Sequence, residues 1–246
     1  MSIFWSFQKF SDQVSELTLT DLYPLLGEKE KEVFQRLGFP KRRMDWLGAR
    51  IVTKKLVQMA DDRWKYKEIR DIEILNAESG APYLNIHNNP EHPGSVSLSH
   101  SNGFVLCGYS PRNINLGVDL ELIEPRSKAF AEDFFGDKEL SQVASMDAEE
   151  RNLYTTLIWS GKEAVLKFLS TGLRVDPRSV EITIPQSSTN INGWGILGMT
   201  SDLIKTDSPH LVWRRENDFV LTACVPSGCV NELKQVNFYS ALSTGR

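Results

Sequence analysis

The chain has 246 residues, 41% of them hydrophobic and 24% charged, and a formal net charge of −4. These values indicate a soluble globular protein of one large or two ordinary domains, and they exclude a mainly disordered chain. We expect no nucleic-acid partner from the acidic balance, no membrane partner or signal peptide from the short apolar runs, and a cytoplasmic location from only three scattered cysteines.

The first half of the chain is predicted to form helices followed by strands. Apolar residues recur at helical spacing in two segments separated by Pro40, and short strand-like segments follow, bounded by turn-forming residues. The second pair of strands forms a predicted hairpin around Ser101-Asn102-Gly103. The predicted helices cover residues 21–37 and 41–60, and the predicted strands cover 72–75, 82–86, 95–99 and 104–109.

The second half repeats this order of elements. A strand at 116–122 leads to a long helix for which Asp147 is a candidate N-cap and Gly172 a terminator. Each half combines one long helix with several strands, which predicts an α+β fold of two similar lobes, residues 1–113 and 114–246, related by a pseudo-twofold axis. The other predicted elements are helices at 127–135 and 138–146 and strands at 180–184, 193–199, 210–214 and 219–225.

The strand at 116–122 carries two acidic residues. Because side chains alternate along a strand, Asp119 and Glu121 point from one face and the apolar residues beside them point from the other. Adjacent like charges are unfavourable unless something neutralises them, and Mg²⁺ is a suitable partner for paired carboxylates. The alternative is a solvated outer face of the sheet.

The long helix of the second half has an unusual second face. Opposite a continuous apolar stripe lie Trp159, Glu163, Leu166 and Lys167. A solvated face needs neither Trp159 nor Leu166, so we expect a ligand, a partner or the other lobe to cover it. Glu163 and Lys167, one helical turn apart, form either a functional pair or an ordinary surface ion pair.

A basic stripe marks the second predicted helix. Arg42, Trp46 and Arg50 follow one another at four-residue intervals, and Arg43 lies beside them. Arginine binds phosphate through its planar guanidinium group, so this stripe is a candidate anion site, and the alternative is a solvated helix face. His100, at a strand end beside the hairpin turn, either contacts a ligand or has a structural role.

Two motifs carry a family resemblance. Gly117-Val118-Asp119-Leu120-Glu121 and, downstream, Trp159-Ser160-Gly161-Lys162-Glu163-Ala164 with Lys167 resemble the bipartite motif of the 4′-phosphopantetheinyl transferases, in the two-lobed branch typified by the surfactin-synthetase-activating enzyme. The resemblance extends from about Lys41 to Leu173. Ala81 departs from the family pattern, since many members carry Lys between the Gly and Pro of this turn. Further matching residues are Arg42, Arg43, Arg50, Gly80, Pro82, Ser99, His100 and Glu139.

The resemblance implies an enzyme that transfers the 4′-phosphopantetheine arm from coenzyme A to a serine of an apo acyl, polyketide or peptidyl carrier protein, releasing adenosine 3′,5′-bisphosphate. It implies Mg²⁺ held against the pyrophosphate by Asp119, Glu121 and Glu163, with Glu163 as the base, directly or through a water, and Lys167 offsetting phosphate charge. It also implies a monomer that holds the coenzyme in the cleft between its lobes. The implied coenzyme-binding residues are Arg42, Arg43, Arg50, Gly80, Pro82, Ser99, His100 and Lys162.

Two other functions are compatible with the sequence. One is a catalytically silent module that binds coenzyme A or a carrier protein, although a pure binder has no need to keep Asp119, Glu121 and Glu163 together. The other is a different Mg²⁺-dependent phosphotransfer enzyme, although the sequence contains no GxxxxGK[ST] phosphate-binding loop.

Residues 127–135 are a candidate carrier-docking surface. Phe130, Phe134 and Phe135 give this short predicted helix much aromatic surface, which forms either an apolar groove for an amphipathic carrier helix or plain core packing. The candidates for steering an acidic carrier are Arg126, Lys128 and Lys138.

Overall fold

The computed structural model describes residues 2–10, 19–89, 92–185, 190–205 and 208–237, and its helices and strands group into two units. The N-terminal unit comprises Ser2–Ala77, Pro82–Ile114 and the segment that begins at Leu233. The C-terminal unit comprises Glu78–Ala81 and Asn115–Glu232. Residues 233–235, which the predicted boundary places in the C-terminal lobe, form the last strand within the described residues, and this strand belongs to the N-terminal unit because it pairs in parallel with residues 3–5.

The N-terminal unit packs helices against two β-sheets. Its four-stranded sheet has the order β12-β1-β5-β4, and β2 and β3 form a separate two-stranded sheet. Asn102 and Gly103, both with positive φ, form the turn between β4 and β5, as the hairpin prediction requires. The elements are β1 (Ile3–Lys9), α1 (Leu19–Leu22), α2 (Glu28–Arg36), α3 (Pro40–Ala60), β2 (Ile72–Asn76), β3 (Pro82–Ile86), β4 (Ser95–Ser101), β5 (Phe104–Ser110) and β12 (Leu233–Gln235).

The first residues of this unit differ from the prediction. Residues 3–9, which lie before the first predicted helix, form β1, which inserts between β5 and β12. The helix predicted over 21–37 is broken, since Pro24 lies in a 3₁₀ turn and Gly27 caps α2. The helix predicted at 41–60 is confirmed as α3, with Pro40 at its first position.

The C-terminal unit has one long helix on one antiparallel sheet. The strand order is β6-β11-β10-β9-β7, with β8 paired to β9. All the predicted elements of this half are confirmed to within a few residues. They are β6 (Gly117–Leu122), α4 (Lys128–Phe134), α5 (Asp137–Ala144), α6 (Ala148–Phe168), β7 (Glu181–Thr183), β8 (Asn190–Ile191), β9 (Trp194–Thr200), β10 (His210–Glu216) and β11 (Phe219–Val225).

Helix α6 carries most of the core of the C-terminal unit. Asp147 caps it, accepting a hydrogen bond of 2.9 Å from the Glu150 amide, as predicted. Inside the unit, the hydroxyls of Ser160 and Thr222 lie 2.8 Å apart and tie the helix to β11. Although α6 has 21 residues, no helix in the described part of the chain is long and apolar enough to cross a membrane.

Candidate functional site

The acidic residues lie where strand β6 comes unusually close to helix α6. A Cβ atom at Gly117 would lie 2.0 Å from the carbonyl oxygen of Ala164 and 2.5 Å from the amide nitrogen of Phe168. Real Cβ atoms do not approach other atoms this closely, so only glycine fits here. The glycine of the first motif therefore lets the helix of the second motif lie directly against the strand.

Asp119 is buried on the face of β6 that α6 covers. It is only 3% exposed, and its Oδ1 accepts a hydrogen bond of 2.7 Å from the Lys167 ammonium. Lys167 also donates to the carbonyl oxygen of Val118 at 3.2 Å. The alternative of a solvated outer face is therefore wrong for Asp119. Lys167 takes its ion pair from the strand and not from Glu163 of its own helix.

Glu121 also points toward α6, and both of its carboxylate oxygens are engaged. Oε1 accepts a hydrogen bond of 2.9 Å from the Trp159 indole N–H, and Oε2 accepts one of 2.7 Å from Nη2 of Arg126. Burial and the charge of Asp119 raise the pKa of Glu121, and Arg126 opposes that rise. Asp119 and Glu121 thus share one face, as strand alternation predicts, and each is paired with a cationic side chain.

Glu163 forms no ion pair with any residue that the structure describes. Its Oε1 is buried and has no hydrogen-bond partner in that part of the chain. Burial raises the pKa of Glu163 to about 7; the charge of Lys167 opposes this rise, and those of Asp119 and Glu121 add to it. A carboxyl group with this pKa changes its protonation near neutral pH, which suits proton transfer.

The three acids are chemically suited to a divalent cation, because carboxylate oxygens are the donors that Mg²⁺ prefers. The charges of Asp119 and Glu121 raise the pKa of Glu163, and one buried oxygen of Glu163 lacks a partner among the described residues. Yet in the same part of the chain no three His, Cys, Asp or Glu side chains are grouped so that they could hold a metal ion. Arg126 and Lys167 hold Glu121 and Asp119 by ion pairs, so a divalent cation has to compete with them.

Lys162, expected at the coenzyme, lies instead in the core of the C-terminal unit. Its side chain is 0% exposed, and its ammonium lies 2.8 Å from Oε2 of Glu139. It also donates to the carbonyl oxygens of Pro177 and Val180. These three partners use all three ammonium protons, so the motif lysine is a structural residue, and Glu139 is its counter-ion and not an acid free for a metal.

Aromatic residues of α4 cover the second face of α6. The ring centroid of Trp159 lies 5.2 Å from that of Phe130 and 4.9 Å from that of Phe134, and Phe135 is 2% exposed. The face that the sequence assigned to a ligand, a partner or the other lobe is therefore covered by the same unit. Of the two interpretations of these phenylalanines, core packing accounts for their contacts.

A cavity of about 460 Å³ lies beside α4, α5 and α6. Arg126, although predicted as a steering charge, is held in the ion pair with Glu121, and its side chain is 17% exposed. Lys128 is 89% exposed and pairs with Glu132 at 3.2 Å. The charged residues of the lining are Arg126, Lys128, Glu132 and Arg151, so this cavity is net positive in an acidic protein.

In the basic stripe of α3, two arginines have hydrogen-bond partners within the unit and the third is exposed. Arg50 is 5% exposed, lies 4.0 Å from the Trp46 ring centroid and donates to Asn76 Oδ1 at 2.8 Å. Burial lowers its pKa to about 10. Arg43 donates to the carbonyl oxygen of Leu37 at 2.5 Å. Arg42 is exposed, so it is the arginine of the three best placed to meet a ligand.

The other predicted coenzyme residues lie on strand ends and a turn. His100 is exposed near the end of β4, and Ser99 beside it is half-buried. Gly80 has φ of +89°, a left-handed conformation that favours glycine, and Pro82 begins β3. None of these residues lines the cavity of about 780 Å³ in the N-terminal unit, which lies at the start of α2 and the end of β3.

Sequence reasoning missed two features of the acidic group. The ion pair between Arg126 and Glu121 spans five positions outside any helix, so no periodicity reveals it. The need for Gly117 comes from a helix that is distant in sequence, and its only sequence signal is a glycine inside a strand pattern.

Comparison with known proteins adds an independent finding. Residues 115–224, which contain all four of Asp119, Glu121, Glu163 and Lys167, match the family model of the 4′-phosphopantetheinyl transferase superfamily.

Three relatives illustrate the similarity. The chain is 31% identical over 115 residues to the 4′-phosphopantetheinyl transferase ffp of Bacillus subtilis, a match that covers 46% of this chain and 48%, about half, of that relative. It is 26% identical over 202 residues to the 4′-phosphopantetheinyl transferase HetI of Nostoc sp., covering 76% and 78% of the two chains. It is 24% identical over 194 residues to the L-aminoadipate-semialdehyde dehydrogenase-phosphopantetheinyl transferase of Schizosaccharomyces pombe, covering 72% and 71%.

Proposed function

We infer the function from one premise: this chain belongs to the 4′-phosphopantetheinyl transferase superfamily. We propose that it transfers the phosphopantetheine arm of coenzyme A to a serine of an apo acyl or peptidyl carrier protein. The serine Oγ bonds to the phosphorus next to the pantetheine arm, and the pyrophosphate P–O bond to the nucleotide breaks. Adenosine 3′,5′-bisphosphate leaves with the electron pair of that bond.

The observation that carries this proposal is the state of Glu163. Its Oε1 is buried, has no hydrogen-bond partner among the described residues, and belongs to a carboxyl group whose pKa is raised to about 7. Leaving such an oxygen without a partner is costly, and a silent binding module gains nothing from it. As a base, Glu163 takes the proton of the carrier serine while that serine attacks.

Lys167 has the second role. Its ammonium donates to Asp119 and to the Val118 carbonyl, and its side chain is 25% exposed. An ammonium group has three protons, so one remains for a phosphate oxygen. Lys167 therefore offsets negative charge on the transferred phosphate or on the leaving group.

Asp119, Glu121 and Glu163 are the residues that would hold Mg²⁺. When bound, Mg²⁺ supplies positive charge that polarises the phosphate oxygens and neutralises charge on the leaving group. The proposal is supported by the donor chemistry of the three acids and by the effect of Asp119 and Glu121 on the pKa of Glu163.

The coenzyme-binding side of the proposal rests on Arg42, Arg43, Arg50, Ser99 and His100 of the N-terminal unit, with Gly80 and Pro82 at the turn. Helix α3 packs against β4, so its basic stripe and the end of that strand belong to one packed unit. Arg42 and His100 are exposed and serve the 3′-phosphate directly. Arg50 and Arg43 already have hydrogen-bond partners within the unit, and we assign to them the support of that surface.

We further propose that the protein works as a monomer in the cytoplasm. The test of the function is incubation with coenzyme A, Mg²⁺ and a panel of apo carrier proteins, read by intact mass. We expect at least one carrier to gain the mass of one phosphopantetheine arm. Glu163→Gln should abolish the gain, and Glu132→Gln, which removes an exposed acid, should not. If no carrier gains mass with the wild-type protein, the proposed function is wrong.

A further inference from the structure

Arg126 contacts the acidic group but belongs to none of the motifs that define it. It lies between β6 and α4, and its Nη2 donates to Glu121 Oε2 at 2.7 Å. Its guanidinium carbon lies 4.9 Å from the centroid of the Phe130 ring. Within the described residues its buried Nε has no hydrogen-bond partner. Nη2 also lies 4.0 Å from Oε1 of Glu124, so Glu121 is the nearer of its two carboxylate partners.

Two residues hold the Glu121 carboxylate, one at each oxygen. Trp159 donates to Oε1 at 2.9 Å while Arg126 pairs with Oε2, so the carboxylate has a defined orientation. Trp159 is itself held by Phe130, whose ring is the one that the guanidinium group covers. Arg126 therefore holds Glu121 both directly and through the aromatic packing around Trp159.

The charge of Arg126 determines its effect on the acidic residues of β6. Glu121 lies on the same face of β6 as Asp119, and the charge of Asp119 disfavours the ionised form of Glu121. Arg126 neutralises one of the two. A divalent cation at the same acids would perform the same neutralisation, so arginine and metal compete for one carboxylate.

We propose that Arg126 is the built-in counter-ion of Glu121, and that it weakens divalent-cation binding at Asp119, Glu121 and Glu163. The inference rests on the proposed function, because the divalent cation is part of that proposal. The inference goes beyond the proposed function because it names Arg126 as the residue that sets how much divalent cation the site requires.

The experiment is a Mn²⁺ titration followed by electron paramagnetic resonance, with neither coenzyme nor carrier present. Arg126→Gln should tighten Mn²⁺ binding by at least about threefold, since it removes the competing charge and frees Glu121. Arg126→Lys, which keeps the charge, should bind Mn²⁺ as the wild type does. A purely structural role predicts the opposite sign, because losing the grip on Glu121 would disorder a ligand and weaken binding.

The matched control is Lys128→Gln. It removes the same charge two residues away, from a side chain that is 89% exposed and pairs with Glu132. Its Mn²⁺ affinity should stay within about twofold of the wild type, because exposed charges are well screened. Unchanged far-UV circular dichroism in each variant guards against misfolding.

A second readout follows the carboxylate itself. In ¹H–¹⁵N spectra the indole N–H of Trp159, assigned with Trp159→Phe, should shift on Arg126→Gln and on adding Mg²⁺ to the wild type. Unchanged or weaker Mn²⁺ binding in a folded Arg126→Gln protein overturns the proposal. So does a wild-type protein that transfers the arm but binds no Mn²⁺ at millimolar concentration. The Mn²⁺ titration contains no coenzyme and no carrier protein. Its result can therefore be interpreted even if the transfer assay fails.

Discussion

The ammonium of Lys162 lies 2.8 Å from Oε2 of Glu139, and both side chains are completely buried. The same pair recurs in the N-terminal unit as Lys54 and Glu30, also completely buried. Each lysine occupies the same position of a 21-residue helix, and each glutamate is the third residue of a helix capped by glycine.

The backbone contacts of the two glutamates are also repeated. Oε1 of Glu30 accepts the amide of Ile74 at 2.8 Å, and Oε1 of Glu139 accepts that of Ile182 at 2.7 Å. Because the pair recurs in the unit that lacks the three acids, it belongs to the fold and not to the chemistry. The two units therefore share an internal structural element as well as their order of helices and strands.

Replacing Lys162 should lower the stability of the fold, because Lys162 is a structural residue and does not contact the coenzyme. Lys162→Met leaves Glu139 buried without its counter-ion, a loss of about 3–5 kcal/mol in the free energy of unfolding. Lys162→Met combined with Glu139→Gln should recover part of that loss. Urea denaturation measures both. A Lys162→Met protein with the wild-type midpoint but weakened coenzyme binding would show that Lys162 contacts the coenzyme after all.

Gly117→Ala should force β6 and α6 apart. The added methyl group would lie 2.0 Å from a helix carbonyl oxygen, so the helix must shift and the 2.7 Å contact between Lys167 and Asp119 must lengthen. We expect a loss of about 1–3 kcal/mol together with loss of transfer. Gly228→Ala, where an added Cβ meets nothing within 4 Å, is the control. Equal stability and activity in both variants would contradict the close approach.

The protonation of Glu163 should make stability fall with rising pH. Burial raises its pKa in the folded chain from 4.5 to about 7, so the carboxyl ionises first in the unfolded chain. Its contribution is fully present below about pH 4.5 and is lost as the pH rises to about 7. Urea midpoints of the wild type and of Glu163→Gln, measured across this range, should diverge in favour of the variant. If the urea midpoints of the two proteins change in parallel with pH, the pKa of Glu163 in the folded chain is an ordinary one.

Transfer should depend on a divalent cation held by Asp119. Asp119→Ala should abolish transfer, because it removes one of the three acids proposed to hold the metal. The protein should remain folded, because Lys167 is 25% exposed and its released ammonium can reach water. Intact-mass assays with and without chelator measure the dependence on metal, and circular dichroism measures the fold. Wild-type turnover that persists in excess chelator would rule out the metal.

Arg42 should recognise the 3′-phosphate of the coenzyme. Arg42→Ala should weaken the binding of coenzyme A by about 1.5–3 kcal/mol, the value of a charge-assisted hydrogen bond. The binding of the analogue that lacks the 3′-phosphate should not weaken. Lys41→Ala, the exposed neighbour, is the control for general charge. Calorimetric titration with both ligands gives the comparison, and equal losses for the two ligands would contradict the assignment.

The sequence alone determined the elements that depend on local patterns. The apolar periodicity of α3 and α6, the Asn-Gly turn between β4 and β5, and the Asp147 cap all act within a few residues, so they can be read directly. The shared face of Asp119 and Glu121 follows from strand alternation in the same way. The bipartite motif carries the resemblance to the 4′-phosphopantetheinyl transferases, and residues 115–224, which contain both halves of that motif, match the model of that superfamily.

Only the tertiary structure decided which of these residues meet. Strand β1 lies between strands that are about 100 and 230 positions away, so its pairing has no local signal. The motif pattern places Lys162 and Lys167 alike on one helix, yet one is buried against Glu139 and the other pairs with Asp119. Burial and long-range ion pairs depend on the packing of distant elements, and that packing separates the structural Lys162 from Lys167, for which we propose a role in transfer.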